Sequence, residues 1–176
     1  MSSCIKTYTG RYIDPTCPDP AQICIEDIAH ALSLLCRGNG HVRTFWSVGQ
    51  HCICCAREAA ARGLSRRMVL ACLLHDAGEC YLSDVPRPFK DKVPTYRETE
   101  DRLLGMIYEK FLGSDLTAEE ARTVKEIDDA MLWYDLEHLL GEKQSTPAPE
   151  VCIDIDFTVR SFEEVEREYL GIFRHG

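Results

Sequence analysis

The sequence predicts an all-α protein, a compact single-domain helical bundle. Three observations carry that reading. Apolar residues recur at threes and fours through most of the chain. Ser/Thr-x-x-Glu signatures, the capping box, stand before three of those stretches. Hydrophobic residues make up 45% of the 176 residues, enough for one domain with a real core and too many for a disordered chain. No internal repeat, low-complexity tract or second domain interrupts the pattern.

Residues 1–25 carry Gly10, Pro15, Pro18 and Pro20 and read as an irregular N-terminal arm ahead of a helical domain over residues 26–176. The first helix spans Ile25–Cys36, with Ile25, Ile28, Ala29, Leu32 and Leu35 on one face, and Gly38-Asn39-Gly40 stops it. Ser47 caps the next helix, which runs to about Arg62 with Gly63 beyond it. His51 lies beside its apolar stripe. Ser65 starts a third helix that continues through Met68–Leu74 into His75-Asp76 and ends at Pro86 and Pro88. Thr95-x-x-Glu98, Thr117-x-x-Glu120 and Ser161-x-x-Glu164 mark helices reaching about Leu112, Leu140 and Phe173. Val151–Phe157 alternates apolar and acidic residues and could form one short strand, although no partner strand is evident.

Charge and cysteines narrow the function. A net charge of -9 disfavours a nucleic-acid polymer as partner, since that binding relies on basic surface. A small anionic substrate remains open, because a bound cation reverses the local field. No apolar run is long enough to cross a membrane, and MSSCIKTYTG lacks the apolar core of a secretory signal. The ten cysteines fit neither a secreted disulfide scaffold nor a zinc ribbon: Cys52, Cys54 and Cys55 give C-x-C-C with no second pair at ribbon distance. A reducing cytoplasm suits them best.

The chemistry concentrates in Met68–Lys90. An apolar helical run ends directly in His75-Asp76, a polar pair that is costly to bury without compensation. Glu79 follows one turn later and Asp84 lies in the loop closed by Pro86 and Pro88. His51 comes from the preceding helix, which can pack antiparallel to the His75 helix through the turn at Arg62–Leu64. Asp128 lies beside Ile127 and Met131 on the long helix, with Asp129 equally eligible. Two imidazoles and two carboxylates suit one divalent ion, of manganese, iron, cobalt, nickel, zinc or magnesium, with positions left open for water and substrate.

The pattern of His51, His75-Asp76 and Asp128 resembles the HD-domain metal-dependent phosphohydrolases. HDAGECYLSDVPRPFK and VRTFWSVGQH resemble the bacterial 5'-deoxynucleotidase branch, in which HD is followed by A-x-E and then by Asp before L-P-x-P-x-K. The likeness covers about Asp27–Leu140. It implies that His51, His75, Asp76 and Asp128 hold the ion, whose activated water attacks a phosphate ester, a (deoxy)nucleoside 5'-monophosphate above all. It also implies that Glu79 does acid/base work, that Asp84 orients or assists the water, and that Arg43, Arg37 and Lys90 hold phosphate oxygens. Lys90 reads more readily as a solvated lysine. The sequence departs from that branch at Arg37-Gly38, where an Arg-aromatic pair is expected. Trp46 could supply the missing aromatic or serve as a core anchor, and His41 is near enough to touch substrate. A nucleoside triphosphate or cyclic-nucleotide hydrolase, and a non-catalytic module of the same fold, are the alternatives. A homodimer is compatible with all of them.

Overall fold

The short turn at residues 62–65 folds two helices of the chain back on each other, and the candidate site grows from that pair. The computed structural model describes residues 4–175. Its helices are α1 (Ile25–Leu34), α2 (Val48–Ala61), α3 (Arg66–Leu74), the single-turn α4 (Glu79–Leu82) and α5 (Arg87–Lys90), α6 (Pro94–Leu112), α7 (Ala118–Asp135) and α8 (Phe162–His175). Helix α2 is central: α3 lies along it, and α1, α7 and α8 cover its other sides, while α6 packs on α3. The core runs between them through Ile28, Leu32, Ile53, Leu73, Leu74, Leu103, Ile107 and Ile127, all fully buried. The all-α expectation holds.

Local sequence accounts for most boundaries. Ser47 accepts from Gln50 N while Gln50 Oε1 accepts from Ser47 N, so α2 starts with a full capping box. Thr117 and Glu120 do the same for α7, and Ser161 and Glu164 for α8. The box expected at Thr95 does not form. Helix α6 begins two residues earlier than that box implies, with Val93 as its cap and Pro94 in the first turn, where its missing N–H costs nothing.

Four expectations are corrected. The N-terminal arm is not wholly irregular: β1 (Ile5–Lys6) and β2 (Tyr12–Ile13) pair antiparallel, and Ile13 enters the core. The residues Val151–Phe157 form no strand, although Val151, Ile153, Ile155 and Phe157 do turn inward. Side chains take the place of a partner strand: the buried Glu58 carboxylate accepts from Cys152 N and Ile153 N, and Gln50 donates to Thr158 O. The long helix leaves α geometry at Leu136, where a π-helical turn carries the chain to Leu140 and Gly141 ends it with φ +67°. Finally, the helix from Ser65 does not run on to Pro86. It stops at Leu74, and residues 75–78 form a turn before α4.

That stop and the loop after α1 shape the site. Cys36 and Ser47 are bridged, Arg37 N donates to Trp46 O and Val48 N donates to Leu35 O, closing the intervening residues into a compact loop. Gly38, Asn39 and Gly40 all take positive φ there, so the Gly-Asn-Gly run is what this reversal requires.

Candidate metal and phosphate site

Helices α2, α3 and α7 deliver the polar residues. His51 projects from the second turn of α2 and is 1% exposed. His75 sits where α3 stops, and its Nδ1 donates to Cys72 O at 2.7 Å. The Nε2 lone pair therefore points away from the backbone, buried and without a hydrogen-bond partner. It lies 3.3 Å from Asp76 Oδ2 and 3.6 Å from Asp128 Oδ1. His51 Nε2 lies 3.2 Å from the same Asp128 oxygen. The His51 and His75 rings are 5.2 Å apart, centroid to centroid. Lone pairs on nitrogen and carboxylate oxygen facing each other repel unless a proton or a cation lies between them.

The electrostatics express that demand. Burial lowers the pKa of both imidazoles, and Arg37 lowers that of His51. The facing groups outweigh them: Cys55, Asp135 and Asp128 around His51, and Asp76, Cys55, Cys52 and Asp128 around His75. Both histidines end well above the ordinary value. Burial raises the Asp76 and Asp128 carboxyls, but the imidazoles, with Arg37 beside Asp76, bring both well below the usual carboxylate range.

Among the described residues, two groups bring three donor atoms within 4.8 Å of one another: His51, Cys55 and His75, and Cys52, His75 and Asp76. A buried His/Cys/Asp cluster of this kind can hold a metal ion. Of the four expected ligands, His51, His75 and Asp76 fall within these groups, and Asp128 stands outside them with its Oδ1 3.2 Å from His51 Nε2 and 3.6 Å from His75 Nε2. Asp129, the alternative to Asp128, is exposed and pairs with Lys125 and Arg87.

The remaining expectations divide. Arg37 reaches the cluster and is buried in it, donating to Asp76 Oδ2 at 3.1 Å and to Asp135 Oδ2 at 3.3 Å. Asp84 accepts from Gly38 N at 2.9 Å and so holds the Arg37 loop. Gly38 takes φ +58°, which accounts for glycine where the related pattern has an aromatic residue. Glu79 is 4% exposed, with Oε1 3.2 Å from Lys90 Nζ and Oε2 unpartnered. Burial first, then the Asp76 and Asp84 charges, raise its carboxyl well above the usual range, against the pull of Lys90 and Arg37. Lys90, also paired to Glu100, is a site lysine and not a solvated one.

Arg43, Trp46 and His41 are placed elsewhere. Arg43 is exposed and its guanidinium lies over Gly141, where any Cβ would overlap it. Trp46 is 2% exposed and packs on Phe157 at 5.1 Å, a core anchor with no open face for a sugar or base. His41 is exposed.

Asp135 was not legible as a site residue, yet it is 6% exposed and accepts from His51 Nδ1 at 2.9 Å. That bond fixes the proton on Nδ1 and frees Nε2. Its signal was its position seven residues after Asp128, two turns along the same face of α7. Cys52 and Cys55 were set aside for want of a second cysteine pair, whereas the structure supplies histidines as their neighbours.

Beside the cluster opens a cleft of ≈ 390 Å³. His75, Asp76 and Asp128 form its floor, Tyr108, Leu104 and Val124 its apolar wall, and Lys90 and Lys125 bring positive charge. The volume suits a small ligand. Among the described residues, no helix is long and apolar enough to cross a membrane, and Cys52, Cys54, Cys55 and Cys72 are buried free thiols.

No family model matches the chain. It is 35% identical over 109 residues to the uncharacterized protein YfdR of Escherichia coli (strain K12), a match covering 62% of this chain and 58% of that protein. It is 36% identical over 143 residues to an uncharacterized protein of Rhodobacter capsulatus, covering 77% of this chain and 72% of the relative. The match thus spans less than two thirds of the Escherichia coli protein.

Proposed function

For a chain that belongs to one family with these two uncharacterized bacterial proteins, we propose the function its site supports best: metal-dependent hydrolysis of a small phosphate ester. One observation carries it. The His75 Nε2 lone pair, buried and unpartnered, faces two carboxylate oxygens on the floor of an open cleft that also holds two lysines. A structural ion would be enclosed by its ligands, whereas one held here faces a space that a substrate can enter.

His51, His75, Asp76 and Asp128 would hold one divalent ion. Bound there, it supplies Lewis-acid activation of water and offsets phosphate charge. The chain's own residues do the rest. Lys90 and Lys125 draw a phosphate into a cleft otherwise rich in carboxylates, including Glu100 and Asp101. Glu79 keeps its proton to higher pH than an ordinary glutamate and can pass it to the leaving oxygen. Arg37, already engaged by Asp76 and Asp135, fixes the ligand Asp76 against its supporting Asp135, a positioning role that replaces the phosphate contact expected of it. A nucleoside 5'-monophosphate in a cytoplasmic setting is the substrate and location the sequence pattern favours.

The test is metal analysis of the purified protein followed by a panel of nucleoside mono- and triphosphates and cyclic nucleotides, with free phosphate, pyrophosphate and nucleoside measured. Phosphate release from a monophosphate with a stoichiometric divalent ion is the expected result. Pyrophosphate release would move the substrate to triphosphates. No product from any ester with any divalent ion leaves a binding module. Glu79→Gln separates chemistry from binding: turnover should fall by about 10²–10⁴ while the metal stays bound.

A further inference from the structure

We propose that Cys55 is a ligand of the same ion, so that the centre is a mixed imidazole, carboxylate and thiolate site and not one of nitrogen and oxygen alone. The proposal rests on the metal reading above and deepens it.

Cys55 lies one turn after His51 on α2 and is 1% exposed. Its Sγ is 3.6 Å from His51 Nε2, and its sulfur stands within 4.8 Å of donor atoms on both His51 and His75. Nitrogen and sulfur ligands at about 2.0–2.1 and 2.3 Å from one five- or six-coordinate ion stand roughly 3.1–3.6 Å apart. The sulfur is therefore already at ligand spacing. His51 Nδ1 is held by Asp135, and its Nε2 faces both Asp128 Oδ1 at 3.2 Å and the Cys55 sulfur, so an ion that displaces the Nε2 proton would meet the sulfur as well. The ion would take that sulfur as thiolate, the thiol proton passing to solvent. His75 Nε2, unpartnered and buried, points into the same space independently of the cysteine.

The consequence is metal choice. A thiolate favours zinc, cobalt(II) or iron(II) over magnesium or manganese, because soft sulfur prefers the softer ions. Cys52 is the competing sulfur, grouped with His75 and Asp76. His51 is not part of that group.

The test is cobalt(II) titration of the metal-stripped full-length protein, followed by absorption spectroscopy. One equivalent should bind and give a near-ultraviolet thiolate-to-cobalt charge-transfer band. Cys55→Ser should abolish the band and weaken binding by about tenfold or more, whereas Cys52→Ser and Cys54→Ser should keep it. Cys55→Ala is read the same way if serine disturbs folding. Cobalt bound to the wild-type protein without the band overturns the proposal and leaves the metal reading intact. A band that survives Cys55→Ser, or is lost with Cys52→Ser instead, also overturns it. No cobalt bound at all removes the metal reading itself.

Discussion

Asp135 shows how much of the site depends on a residue with no direct claim on an ion or a substrate. It receives the His51 Nδ1 proton and one arm of Arg37, so a single carboxylate sets the tautomer of one ligand and the position of the arginine that holds another. Asp135→Asn keeps the shape but can present its amide to the ring, which costs the tautomer. Divalent-ion affinity should fall about 10–100-fold, measured by competition with a chromophoric chelator. A second expectation concerns pH. In the stripped protein His51 and His75 have folded pKa values above their unfolded value near 6.5. They therefore contribute stability that is fully present below about pH 6.5 and lost as pH rises through the folded values. An ion binds the neutral rings and replaces the protons. The melting temperature of the stripped protein should decline from about pH 6 to pH 9, and the gap to the metal-loaded protein should widen over that range. Parallel melting curves would mean that the two imidazoles do not share a cation site.

Among the elements, α2 has least room to change, because it carries His51 and Cys55 on one side and is covered by α1, α7 and α8 on the others. Gly49 is its tightest point. A Cβ there would stand 3.1 Å from Leu32 O and 3.1 Å from Val165 Cγ1. Backbone yields less readily than a side-chain tip, so the overpacking cost of about 1–3 kcal/mol should exceed the gain of up to about 1 kcal/mol from helix propensity. Gly49→Ala is expected to be net destabilising, read as a lower midpoint in urea with an unchanged slope. The boundaries of α2, α7 and α8 were legible because their caps are local chemistry: Ser47, Thr117 and Ser161 each satisfy backbone donors a few residues away. Two features were not legible, because long-range contacts decide them. The hairpin of β1 and β2 depends on Ile13 reaching the core. The extended segment near Val151 is held by Glu58 from α2. Trp46 was legible as a core anchor, and its partner is Phe157, more than a hundred residues away.

Across the whole molecule, four ligand candidates separated by 77 residues were recoverable from sequence because each is a polar group set against an apolar helix face. The cations around them were harder to assign, since charge alone does not say which way a long side chain turns. Arg43 lies over Gly141, while Lys125 lines the cleft. With a net charge of -9, this protein has little general attraction for phosphate, so on the proposed reading the ion also serves as the substrate's anchor. Inorganic phosphate or a nucleoside monophosphate should bind the metal-loaded protein and show no measurable heat in calorimetry with the stripped one. Equal binding to both forms would separate phosphate recognition from the metal. The stop of α3 at Leu74 gives this dependence a further cause. A helix carries roughly half an elementary negative charge at its C-terminal end. That end abuts His75 and Asp76, so the backbone itself adds to the carboxylates in drawing a cation and turning an anion away. Had the helix run on to Pro86, that field would have fallen outside the cluster. On the proposed reading, its early end sets an order of binding, in which the metal arrives first and the phosphate follows.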